Sequence, residues 1–255
     1  MGTNARWISR RTGGLNMAED SKIEKTWQSF AAEIHSLFGE TVKTILVYGS
    51  AATSDYVPGK SDVNFLVVLT DEGMEQIERA QKHASKWIRK NWHPLFLTRE
   101  YIGRSLDSFP VEFLNMQAAY RLIRGEDVLK NLKIEKKDLR LQCERELKGK
   151  LLHLRQGFIS SGGKAKHLRK LLLESMSAFI AIFRALLSIK DVPCPETRDE
   201  AAVKTGEVYG LNTSLFIMLL SLRTEPKRLK KDQLEKKTME LIREIDRLIK
   251  IVDDL

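Results

Sequence analysis

The chain has 255 residues, 42% apolar and 30% charged, which is enough to bury a sizeable core and reads as a soluble globular protein rather than a disordered or fibrous one. Its 43 Lys and Arg against 34 Asp and Glu leave a net charge of +9, favouring an anionic partner such as a nucleotide, a nucleic acid or an acidic surface, although the charge is spread along the chain. Two cysteines, Cys143 and Cys194, without CxxC spacing exclude a disulfide framework and a cysteine zinc site, and fit a reducing cytoplasm.

Residues 1–16, "MGTNARWISRRTGGLN", carry three arginines and no apolar run, so they read as a flexible tail rather than a signal peptide. Ser21-x-x-Glu24 then resembles a capping box, with Ile23, Trp27, Phe30, Ile34, Leu37 and Phe38 at helical spacing behind it and Gly39 as the stop. Strands are expected at 44–48 and 63–69, a helix over 71–90, and further strands at 94–97, 111–116 and 120–125. After about residue 137 the pattern becomes helical. Helices are expected over 139–159, 167–189 and 213–223, and a last one from an Asp232-x-x-Glu235 box; Gly162-Gly163, residues 192–196 and Pro226 mark the breaks. The longest apolar run is placed near 213–222, too short for a bilayer span of ~20 residues, so no membrane partner is expected.

One stretch carries chemistry. "YGSAATSDYVPGKSDVNFLVVL", residues 48–69, holds a Gly49-Ser50 turn after a strand and then Ser61-Asp62-Val63-Asn64 running into the next strand. Residues i and i+2 of a strand point to one face, so Asp62 and Asn64 converge. Gly49 lets a backbone approach a phosphate closely, and Ser50 offers it a hydroxyl. Gly59-Lys60-Ser61 looks like the end of a P-loop, but Ser54 stands where the required glycine would be. The five histidines show no metal-ligand spacing, and the basic clusters at 164–170 and 227–231 read as solvated helix ends and loops, with few aromatics to stack bases. Nucleic acid is therefore not the favoured partner.

A strand, Gly-Ser, about ten residues and then Asp-x-[Asp/Glu] on the next strand is the signature of the DNA polymerase beta-like nucleotidyltransferase superfamily, and residues 47–64 resemble it. The helical part that follows resembles the kanamycin nucleotidyltransferase-type members. The resemblance implies an α+β fold: a small mixed-sheet nucleotidyltransferase-like domain over 17–137, followed by an all-helical bundle domain over 138–255. It implies a site with Gly49, Ser50, Ser61 and Asn64 on the nucleotide and with Asp62, Asn64 and a third carboxylate on Mg²⁺ or Mn²⁺. That third carboxylate comes from a later strand in the family, and its best match here is Glu112, as ligand or base. The implied partners are an NTP, with ATP expected, and a hydroxyl acceptor that is a small molecule or a protein. Asn64 departs from the pattern. An amide is neutral, offers one oxygen and cannot bridge two ions, and losing a charge ~4 Å from a divalent ion costs several kcal/mol at an effective dielectric near 20. The expectation is thus Mg-dependent transfer of a nucleoside monophosphate, weakened by Asn64; the alternative is an inactive nucleotide-binding or interaction protein that keeps the fold.

Overall fold

The computed structural model describes residues 17–53, 55–59, 61–195, 197–222 and 229–255; the expected tail at 1–16 and the break at Pro226 lie outside them. Helix α1 (Met17–Phe38) buries Trp27, Phe30, Ile34 and Phe38, and Gly39 ends it at φ 57°, where a residue with a Cβ is strained. It begins before Ser21, which is therefore interior to the helix and not its cap. Glu24 is instead taken by Arg121, at 2.6 Å.

Four strands follow: β1 (Val42–Tyr48), β2 (Val63–Leu69), β3 (Trp92–Thr98) and β4 (Tyr120–Gly125). They form one mixed sheet in the order β3-β2-β1-β4, with β1 antiparallel to both its neighbours and β2 parallel to β3. Strand alternation sorts the side chains. Ile45, Val47, Val63, Phe65, Val67 and Leu69 share a buried cluster with α1, so Tyr48 and Asn64 point to the other face. Phe30 of α1 stacks on Phe65 at 3.8 Å between ring centroids, and Trp92 meets both rings edge-on.

A parallel pair needs a crossover, and the one between β2 and β3 was expected to be a single helix. It is three short ones, α2 (Asp71–Met74), α3 (Glu78–Gln81) and α4 (Ala84–Arg89). Bonds from residue i+3 back to residue i, such as Ile77 to Met74, Ala80 to Ile77 and His83 to Ala80, tighten the links between them. Glu33 of α1 anchors the segment by accepting from Lys86 and pairing with His83. After β3 comes α5 (Arg99–Arg104).

The largest departure is at 111–116, where the expected strand is part of helix α6 (Pro110–Ala118). Proline suits a first helical position because its missing N–H would be unpaired there anyway. The alternation of Val111, Phe113 and a polar neighbour imitated a strand because the helix buries two sides: Val111 and Leu114 pack with the helical cluster, while Phe113 and Met116 are also buried outside it.

The remaining helices are α7 (Lys136–Ser160), α8 (Ala165–Ile189), α9 (Arg198–Tyr209), α10 (Thr213–Ser221) and α11 (Lys231–Asp253). No helix was expected at α9, because its buried residues are the small Ala201, Ala202, Thr205 and Gly206, with Tyr209 at its end, and carry no bulky stripe. Thr197 and Glu200 cap it reciprocally. The last helix starts at Lys231, so Asp232 lies in its first turn; Gln233 rather than Glu235 accepts the N–H before the helix, that of Lys230. The most apolar long helix is α8, not the run at 213–222. By length and composition its 25 residues could cross a bilayer, yet Leu172, Met176, Phe179, Phe183 and Leu186 on it are core residues.

Two compact units divide the chain. One takes the described residues up to Leu106 together with Met116–Lys133; the other takes Asp107–Asn115 and Ile134–Leu255. The first is built on the sheet and α1, and the second is helical.

Candidate functional site

The register of the sheet builds the site. At one end of the strands His93, Asn64, Tyr48 and Tyr120 form a row across β3, β2, β1 and β4, because Asn64 pairs with His93 and with Tyr48, and Tyr48 pairs with Tyr120. All four stand on the face away from α1. Directly after Tyr48 the chain turns through a 3-10 segment, Gly49–Ala52. Gly49 sits at φ 75°, and a Cβ there would come within 3.5 Å of Asn64 Nδ2, so the amide lies against the glycine. The Gly49 N–H donates to the Ala119 carbonyl, and the Thr53 N–H and hydroxyl both close on the Ser50 carbonyl. The turn is thereby fixed by its backbone. Among the described residues the Ser50 hydroxyl and the Asn64 amide have no hydrogen-bond partner, so the scaffold leaves them to face solvent or a ligand.

Asp62 precedes β2 on the Asn64 side, as the strand phase requires. Its carboxylate is well exposed and lies 3.6 Å from His93 Nε2. Ser61 is 8% exposed, and its hydroxyl accepts from the Val57 N–H while its own N–H donates to the Val57 carbonyl, so it closes the loop that delivers Asp62. Glu112 is on α6, a helix instead of the expected later strand, and within the helical unit. Its carboxylate accepts from Gln142 Nε2 at 2.7 Å, and the Gln142 carbonyl accepts the Val111 N–H, which ties the start of α6 to α7.

Two features were not read from the sequence. His93 is the residue beside Asn64 on the neighbouring strand, on the face that carries Asp62. Period-two alternation from the buried Trp92 could have put it on the site face. Tyr120 is the other: its hydroxyl donates to both oxygens of Asp127, at 2.9 and 2.8 Å. Burial, then the hydrogen bond and charge of Asp127, push the Tyr120 phenol far up, and burial raises Tyr48 as well. Both phenols thus stay protonated donors at neutral pH.

Residues 28–120 match the family model of the nucleotidyltransferase domain. That segment is similar to a nucleotidyltransferase domain. That match spans α1 through the start of β4 and includes the Gly49-Ser50 turn, Asp62, Asn64 and His93. The chain is also similar to the solved structure of spectinomycin adenyltransferase AAD(9) from Enterococcus faecialis, determined with ATP and spectinomycin. The TM-score is 0.54 at 12% identity, covering 88% of this chain and 98% of that one, a likeness of fold. No curated protein matches the chain.

A pair of bridged Mg²⁺ ions asks for carboxylates that contact both metals. Around Asp62 the sheet places an amide, Asn64, and an imidazole, His93. Among the described residues no group of three or more His, Cys, Asp or Glu is placed to hold a metal ion. This donor set does not make the bridged carboxylate pair that two Mg²⁺ ions need; a single divalent ion would be held at Asp62.

Proposed function

We propose that the protein binds an NTP, with ATP as the first candidate, against the Gly49-Ser50 turn and transfers its nucleoside monophosphate to a hydroxyl of a small molecule. The observation behind this is the left-handed turn at Gly49, with the uncommitted Ser50 hydroxyl and Asn64 amide beside it and Asp62 on the same face, inside a segment that matches the nucleotidyltransferase model. Ser50 donates to a phosphate oxygen. The Asn64 amide donates to another, a contact that an aspartate would make repulsive without metal. The Tyr48 hydroxyl, on the same row, is a neutral donor for the base, the sugar or the acceptor, while the Tyr120 hydroxyl proton is committed to Asp127. A single divalent ion, when bound, neutralises phosphate charge at Asp62 and helps align the attacking oxygen with the leaving pyrophosphate. The AAD(9) structure, with its ATP and spectinomycin, supports a small molecule as acceptor. A chain at +9 is a poor overall match for a polycation, which favours acceptors of low charge.

A non-catalytic nucleotide-binding role is the second reading, and what favours it is the neutral Asn64 where the resembled motif has a second acid beside Asp62. One experiment divides the two. Calorimetric ATP binding with divalent ion is followed by pyrophosphate release across a panel of hydroxyl acceptors including spectinomycin. ATP binding with acceptor-dependent pyrophosphate release is the expected result, and Asp62→Ala should abolish the release. Binding without release against any acceptor selects the non-catalytic role, and no binding at millimolar ATP removes both.

A further inference from the structure

What the site can hold depends on β3. Its parallel register sets Trp92 opposite Val63, and both side chains enter the α1 core. The next residue, His93, is thereby forced onto the Asp62 side of the sheet. The Val63 N–H bonds the Asn91 carbonyl at 2.8 Å, which fixes this register at its first step. His93 Nε2 lies 3.6 Å from Asp62 Oδ1, with the side chains 51% and 66% exposed, so an ion and its waters can reach both. That separation is too long for a hydrogen bond, which runs to about 3.2 Å. It is close to the spacing of two ligands on one ion. Donor atoms about 2.1 Å from a metal stand roughly 3.0 Å apart at a right angle and roughly 3.4 Å apart at a tetrahedral angle.

We propose that Asp62 and His93, with the Asn64 amide beside them, bind one borderline divalent ion of the Co²⁺, Ni²⁺ or Zn²⁺ class in preference to Mg²⁺. Imidazole nitrogen suits these ions, whereas Mg²⁺ demands hard oxygen ligands in near-ideal octahedral geometry and dehydrates reluctantly. Asp62 alone would hold Mg²⁺ no better than any exposed carboxylate; His93 adds affinity only for an ion that accepts nitrogen. Two protein ligands and an amide leave positions for water or a phosphate oxygen. The ion's use rests on the nucleotide reading of the same site, but its binding needs no nucleotide, so the two are tested apart.

The test is calorimetric titration of untagged, nucleotide-free full-length protein with CoCl₂ and with MgCl₂, with the visible spectrum of bound Co²⁺ as a second readout. Co²⁺ is expected to bind at least about tenfold more tightly than Mg²⁺, the scale on which even ligand-supporting residues act. His93→Ala should remove that preference and the Co²⁺ spectrum while leaving Mg²⁺ affinity unchanged. His93→Glu should reverse the preference toward Mg²⁺. Because His93 is half exposed, neither change threatens the fold. Equal affinities for Co²⁺ and Mg²⁺, or Co²⁺ binding that survives His93→Ala, would overturn the assignment. ATP titrated into the same preparations keeps the readings separate. ATP binding without a Co²⁺ preference overturns the ion assignment and leaves the nucleotide site standing. A His93-dependent Co²⁺ preference without ATP binding supports the ion assignment and removes the nucleotide role.

Discussion

Asn64 stands two residues from Asp62 on the same strand face, where an acid would complete a pair, and its amide lies against Gly49. Asn64→Asp changes charge with almost no change in volume. Two carboxylates on one strand face repel each other in the absence of metal, so the variant should melt below the parent in chelator and gain a larger upward shift from added divalent ion. If the amide donates to a phosphate, metal-free ATP affinity should fall in the same variant. Thermal melts with and without ion, and ATP titrations in chelator, read the two effects separately; an ion-induced shift equal to the parent's would show that position 64 does not face the ion. Gly49 is constrained differently. A Cβ at Gly49 would find only ordinary contact with Asn64, so the cost of Gly49→Ala is the left-handed backbone itself, about 1–2 kcal/mol in urea unfolding. ATP affinity should fall with it as the turn re-forms.

At the scale of elements, small residues and a partly buried ion pair decide where helices sit. A Cβ on Gly206 would run into the Thr213 hydroxyl, so α9 can pack beside the start of α10 only because residue 206 is glycine. Gly206→Ala should therefore destabilise by about 1–3 kcal/mol, the usual cost of overpacking. Adding Thr213→Ala should return most of this, since alanine is then about 1 kcal/mol better than glycine inside a helix. A double-mutant cycle with no coupling would contradict the contact. Glu33 plays the corresponding role between α1 and the crossover. Burial raises its pKa, but hydrogen bonds from Lys86 and His83 outweigh this and leave it below the ordinary value. A lowered carboxylate contributes stability above its unfolded pKa of ~4.3 and loses it as pH falls through the lower folded value. Glu33→Gln should thus cost about 1–3 kcal/mol at neutral pH and flatten the loss of stability in acid, read by urea unfolding at pH 7 and pH 3. These two cases also show what the sequence displays. The α1 stripe is legible because bulky apolar residues recur at helical period, β1 and β2 because they are short continuous apolar runs, β4 because a short run ends at Gly125, and the Gly49-to-Asn64 motif because its polar residues stand at a set spacing between two such runs. The α9 helix is not, because its buried face is alanine, threonine and glycine. Residues 110–118 mislead because a helix buried on two sides loses its single stripe. His93 is missed because the expected strand begins at Pro94: alternation from Trp92 gives its face, and the register of β3 against β2 brings it to Asp62.

For the whole molecule, the two cores predict how it unfolds. The sheet unit is centred on Trp27, Phe30, Phe65 and Trp92, and the helical unit on residues such as Phe179, Phe183, Phe216 and Leu241, with no residue shared between the clusters. Chains with more than one such core often depart from two-state unfolding. The tryptophans make this visible. Of four in the chain, Trp27, Trp87 and Trp92 are described, and all three are in the sheet unit. Tryptophan emission therefore follows the sheet unit, while far-ultraviolet circular dichroism is dominated by the five long helices of the other. ATP and a divalent ion bound at the proposed site would stabilise only the unit that holds them, each by about 2.7 kcal/mol at a hundred times its dissociation constant. Heating the full-length protein should accordingly give a fluorescence transition that moves upward with ATP and ion and a dichroism transition that moves less. Asp62→Ala should cancel the fluorescence shift and leave the dichroism curve where it was. Coincident transitions that rise together would instead show that the two units unfold as one, and that ligand energy gained at the sheet is spread through the helical unit as well.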